Sequence, residues 1–138
     1  MGPSPKALLT RAFEMFNRRD VDGLLELLHP EVRVHSLMTE AEGADYVGHD
    51  GVRRWQTAVL DIFPDWCPQL REIDELGGGA VLGRFAVTAT GGGSGAPIDQ
   101  AYWVAGQMRE GRILFYGFYR TEGDAREALG LGRSGAPE

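Results

Sequence analysis

Residues 31–38, "EVRVHSLM", set a histidine and a serine side by side at the end of a short apolar-alternating run. His35 is the side chain there that titrates nearest neutral pH, which suits it to general-base work, whereas an unassisted serine such as Ser36 is a poor base but a serviceable hydrogen-bond partner. Strand side chains alternate faces, so if Val32 and Val34 point inward, Ser36 does too, and Arg33 and His35 point away. A bulge or bend after Val34 would re-aim His35 into the interior. Two readings therefore stand: His35 as the base of a site, or His35 as a structural or exposed residue with Ser36 at the polar position. Arg84 lies between apolar neighbours in "LGRFAV". Facing inward it would anchor an anion or a carbonyl; facing outward it would be a solvated charge. Tyr102 can hydrogen-bond a ligand, Asp99 reads as a turn or rim residue, and His49 in "GHDG" reads as a turn residue. The single cysteine, Cys67, has no internal disulfide partner and no metal-ligand spacing around it, so a buried, inert thiol is expected and no metal is implied.

The elements that must position these groups are legible in outline. A chain of 138 residues fits one domain that buries roughly 68% of its unfolded surface. Hydrophobic residues make up 43% and charged ones 25%, the balance of an ordinary globular protein. A net charge of −6 argues against a nucleic-acid partner, and "NRR" and "VRRW" are too short to reverse it. No apolar run approaches the ~20 residues of a membrane span, and "MGPSPKALLTRAF" lacks the apolar segment of a signal peptide, so a cytoplasmic location is expected.

Three helices are predicted first. Ser4 and Pro5 form a cap and a first helical position, followed by Leu9, Ala12, Phe13 and Phe16 at helical spacing. Asp20 caps a short helix carrying Leu24, Leu25, Leu27 and Leu28, which Pro30 is expected to end. Asp50 is expected to cap the third, whose Val52, Trp55, Val59 and Phe63 share a face before Pro64. The period then changes. Residues 80–90, 97–109 and 112–121 are rich in β-branched and aromatic residues separated by glycine-bearing turns, and "DWCPQLREIDEL" reads as an earlier strand. "GGGSGAP" joins two strands and lacks the Walker lysine, which makes it a hairpin loop and not a phosphate cradle. "GDAREALGL" can form a helical turn before a disordered tail at 132–138, leaving residues 1–131 as one domain. Helices followed by strands give an α+β fold: a curved, mixed but mainly antiparallel sheet forming a cone packed against three N-terminal helices.

The segments "AFEMFNRRDVDGLLELLHPEVRVHS", "YVGHDGVRRWQTAVLDIFPDW" and "EGRILFYGFYRTEGDAREALGL" resemble the SnoaL-like branch of the nuclear transport factor two-like superfamily over nearly the whole chain. That superfamily holds ketosteroid isomerase, polyketide cyclases, epoxide hydrolases, dehydratases and proteins without catalysis, so the resemblance implies a fold before a reaction. It sets the isomerase's general-base aspartate on Ser36. Its protonated aspartic-acid donor falls near Val104 or Gly106 and its tyrosine donor near Ala12, none of which can donate through a side chain.

Steroid isomerisation by that apparatus is therefore not expected. The resemblance does imply that Tyr116, Phe118 and Arg120 line one cavity with Tyr102, that Trp55 faces it, and that Gly106 leaves it room. A small apolar organic ligand with carbonyl or hydroxyl groups is the implied partner, with no cofactor. Phe115, Gly117 and Tyr119 would then form an apolar outer face that needs cover, and a homodimer through the convex sheet surface is expected. Three functions fit: an acid/base cyclase, isomerase or hydrolase with His35 as base and Tyr102, Tyr116 or Arg84 polarising an oxygen; a non-catalytic ligand-binding domain; or a dimerising scaffold with a vestigial pocket.

Overall fold

A computed structural model of the chain describes residues 3–37, 45–89 and 98–130. The "GGGSGAP" loop, the 132–138 tail and the side chain of Asp99 lie outside the described residues. Helix α1 (Pro5–Asn17) starts as the sequence predicts: Ser4 Oγ accepts from the Ala7 amide at 3.1 Å, and Leu8, Leu9, Ala12, Phe13 and Phe16 are buried along one face. Helix α2 (Val21–Glu26) is capped by Asp20, which accepts from the Gly23 amide at 2.9 Å.

Pro30 does not end α2. The helix stops at Leu27, whose carbonyl accepts from the Ile113 amide at 2.9 Å, and strand β1 (Leu28–His35) begins at once. Pro30 sits inside β1 where the ladder shifts register between Leu28 and Arg33, a place where a missing N–H costs little. A two-residue strand β2 (Tyr46–Val47) leads into α3 (Gly48–Ile62). Asp50 does not cap α3 either. Gly48, at φ +74°, lets the helix begin three residues earlier, and Asp50 lies in the first turn, where its charge complements the helix dipole.

Strands β3 (Cys67–Gly77), β4 (Ala80–Ala89), β5 (Ile98–Arg109) and β6 (Arg112–Tyr119) follow, then a short helix α4 (Glu122–Ala128) capped by Thr121. The sheet order is β2-β1-β6-β5-β4-β3. Among the described residues only the β1–β6 pair is parallel, so the sheet is mixed, mainly antiparallel and open.

Its inner face packs on α1 and α3 through Phe13, Phe16, Trp55, Phe85, Tyr116 and Phe118. Its outer face carries a second, smaller cluster of Leu82, Ala105 and Phe115, closed by Ala125 of α4. Part of the apolar surface assigned to a partner is thus covered by the chain's own last helix. No helix among the described residues is long and apolar enough to cross a membrane.

Candidate functional site

Strand β1 keeps strict alternation at its end. Arg33, Val34 and His35 pair in step with Phe115, Tyr116 and Gly117 of β6, and the only irregularity falls earlier in the strand. Val34 and Ser36 are buried on the inner face, Ser36 at 3% exposure. His35 therefore turns outward: with no bulge after Val34, nothing re-aims it. Its ring stacks on Tyr119 at 4.8 Å and 11° from parallel, and its Nδ1 lies 3.0 Å from Asp45 Oδ1. Arg33 reaches the other carboxylate oxygen of Asp45 at 3.1 Å, and its guanidinium sits 5.0 Å above the Phe115 ring. Gly117 permits this arrangement, because a Cβ there would stand 2.7 Å from Phe115 Cζ and 2.8 Å from the Tyr119 hydroxyl.

The inner face ends in a cavity between α1, α3, β1, β4 and β6. Ser36, Leu37, Trp55, Tyr116 and Phe118 line it together with Phe13, Phe16, Val59, Trp66, Pro68 and Phe85. Its volume is about 30 Å³, well below the roughly 300 Å³ of pockets that hold drug-sized ligands. Interlocking rings account for that small size. Trp55 stacks on Phe118 at 5.5 Å and 12°, Tyr116 meets Phe118 at 4.8 Å, Phe13 meets Phe85 at 5.4 Å, and Phe16 meets Trp55 at 5.4 Å. Such pairs add about 0.5–1.5 kcal/mol each beyond their buried area. Gly106 leaves no room after all: a Cβ there would meet Val81 Cγ1 at 2.9 Å and Met108 Cε at 3.2 Å.

The predicted residues divide accordingly. Ser36, Trp55 and Tyr116 reach the cavity; Tyr102 is on the inner face but packs against Phe85 at 5.8 Å, outside the lining. Arg84 faces outward and lies 3.8 Å from Glu72 Oε1, because Phe85 and Val87 occupy the inward phase of β4. Arg120 is exposed beyond the last residue of β6 and is not in the lining. His49 sits in the first turn of α3 with Nε2 3.1 Å from the Leu28 carbonyl oxygen, and Cys67 is half-buried, not fully buried.

Trp66 and Pro68 were not legible as site residues, since they reach the cavity from a turn and a strand start with no periodic signal. Among the described residues, no group of three or more His, Cys, Asp or Glu side chains could hold a metal ion. The electrostatics of the lining are correspondingly simple. Among the described residues no charged side chain contributes to it, and burial pushes the Tyr116 phenol far above its ordinary range, so it remains a neutral donor.

An open six-stranded sheet wrapped over two helices, with an aromatic cavity at their junction, defines the α+β class of NTF2-like proteins. The profile of the SnoaL-like domain matches residues 9–116, and the chain belongs to that family. Solved structures agree on the fold. An NTF2-like protein of unknown function from Burkholderia pseudomallei is 20% identical with a TM-score of 0.74, over 89% of this chain and 95% of its own. IdmH of Streptomyces antibioticus, a proposed polyketide cyclase, is 21% identical with a TM-score of 0.73, over 94% of this chain and 100% of its own. TerC, co-crystallised with polyporic acid, is 19% identical with a TM-score of 0.74, over 91% of this chain and 98% of its own. No curated protein matches the chain.

Proposed function

We propose that the protein binds a small, flat, largely apolar molecule that carries a carbonyl or hydroxyl oxygen. Trp55 and Phe118 form its apolar walls, and Ser36 and Tyr116 meet the oxygen. The lining carries this reading: among its described residues, two hydroxyls sit with side chains that are otherwise apolar and mostly aromatic. Pockets for drug-sized ligands hold roughly 300 Å³ or more. Binding is therefore coupled to a shift of the lining side chains, with the ligand selecting the opened arrangement. The co-crystallisation of the similarly folded TerC with polyporic acid supports a small organic ligand. The test is a thermal-shift panel of polycyclic ketones, hydroxy-aromatics and epoxides, because a ligand that binds only the folded state raises its apparent stability. No shift with any of them at millimolar concentration would refute the reading.

A catalytic version, cyclisation, isomerisation or hydrolysis without a cofactor, is supported by the likeness to IdmH. It ranks second because none of the described lining residues carries a side chain that serves as a general acid or base near neutral pH. Chemistry there would rest on polarisation by Tyr116, with His35 on the other side of the sheet. Product analysis of every compound that gives a shift decides between binding and turnover.

We also propose that two copies associate through the part of the outer face that α4 leaves open. Val47 is 59% exposed there, beside Leu114, Phe115 and Leu129. Glu31 and Arg33 flank the same groove, a charge pair that can complement itself about a two-fold axis. Light scattering at micromolar concentration should report a dimer, and Val47→Glu should convert it to monomer.

A further inference from the structure

The end of α1 holds one wall of the cavity in place. Asn17 Nδ2 donates to the Pro68 carbonyl at 2.8 Å. Two residues later the Arg19 guanidinium donates to the carbonyls of Pro64 at 3.1 Å and Trp66 at 2.9 Å, and to its own helix at Phe16 at 3.2 Å. Alternate carbonyls of one connection, residues 64, 66 and 68, are thus gripped by two side chains of the "NRR" segment. Trp66 and Pro68 are the residues of that connection that line the cavity. Arg19 occupies the left-handed region at φ +61°, a conformation that a residue with a Cβ adopts at a cost. Its guanidinium also lies 5.4 Å from the Phe16 ring, itself part of the lining.

We propose that Asn17 and Arg19 are positioning residues that set the width of the cavity, and so the breadth of the flat ligand it admits, by clamping the 64–68 connection. The inference rests on the ligand-binding reading for its selectivity, but the clamp itself does not. Arginine suits the task because its planar fork can serve several carbonyls at once, whereas an ammonium is a point donor.

Arg19→Gly separates the role from folding, since glycine accepts the left-handed backbone without strain. Two readouts apply to the full-length protein: backbone hydrogen exchange over residues 63–68, and affinities for 2-naphthol and 1-pyrenemethanol measured by fluorescence. In Arg19→Gly, exchange at 63–68 should quicken at least tenfold while the melting temperature holds. The ratio of pyrenemethanol to naphthol affinity should rise at least fivefold. Arg19→Lys should behave like the glycine variant in the affinity ratio, and Asn17→Ala should shift it in the same direction. Unchanged exchange overturns the clamp. Faster exchange with an unchanged ratio overturns its role in selectivity. If neither probe binds any form while exchange quickens, the ligand-binding reading fails and the selectivity role falls with it, yet the clamp stands.

Discussion

The imidazole of His35 lies flat on the ring of Tyr119, 4.8 Å between centroids, on the side of the sheet away from the cavity. His35→Ala should consequently leave ligand affinity within twofold of the parent protein and lower stability by about 1 kcal/mol, the scale of one ring contact plus a partly exposed hydrogen bond. Urea unfolding and a ligand titration on the same preparation measure both. A tenfold loss of affinity would mean that His35 reaches the ligand.

Tyr116→Phe removes a hydroxyl and keeps the ring that packs on Phe118 and Trp55. Affinity for an oxygenated ligand should fall about tenfold, the equivalent of one hydrogen bond of about 1.4 kcal/mol. Stability should hold or rise slightly, because a polar atom leaves an apolar interior. Ser36→Ala should act in the same direction with a smaller effect. Isothermal titration of either variant with an oxygenated and a deoxygenated analogue reads the difference directly.

Gly117→Ala is expected to be costly despite its small size. The added Cβ would stand within 2.8 Å of both Phe115 and Tyr119, forcing the two rings off the strand. Overpacking of this kind costs about 1–3 kcal/mol. Loss of the Tyr119 near-ultraviolet dichroism in the variant would locate the damage on the outer face.

Alkaline pH should weaken the fold. The Tyr119 phenol is pushed up to about 12, first by burial and then by Asp45 and Asp124, with Arg33 opposing them; an unfolded tyrosine titrates near 10. The folded chain keeps a proton that the unfolded chain has already released. This contribution is complete below about pH 10 and is lost as pH rises toward 12. Because Tyr119 is half-exposed, about 1 kcal/mol is a fair magnitude after screening, and the buried Tyr116 adds to it with the same sign. Urea midpoints between pH 9 and 12 should fall, and fall less steeply for Tyr119→Phe.

Most elements were legible because their signals are local. Ser4 with Pro5, the Phe13 and Phe16 spacing, and the alternation of β4 to β6 each announce an element without help from distant residues. Alternation also assigned Ser36 to the interior, where the histidine's chemistry pulled the other way. The misses are of a different kind. Pro30 sits in a strand because a register shift there excuses its missing N–H, and α3 starts before Asp50 because Gly48 can turn left-handed. The small volume of the cavity depends on how six rings from four elements interlock, and periodicity along one element carries no information about that. Trp66 and Pro68 enter the site through the grip of Asn17 and Arg19, a contact across about fifty positions of chain.

The parallel pairing of β1 with β6 has a consequence for synthesis and folding. Leu28 finds its partner in Ile113, and Val34 its partner in Tyr116. Among the described strands, β1 has for a neighbour only the two residues of β2 until β6 leaves the ribosome. Contacts of such long sequence separation slow folding, because loop closure must be completed before they form. The nascent chain therefore carries the backbone N–H and C=O groups along the β6-facing edge of β1 unpaired through most of translation, and a chain cut short before Arg112 would keep that open edge, a template for pairing with other chains.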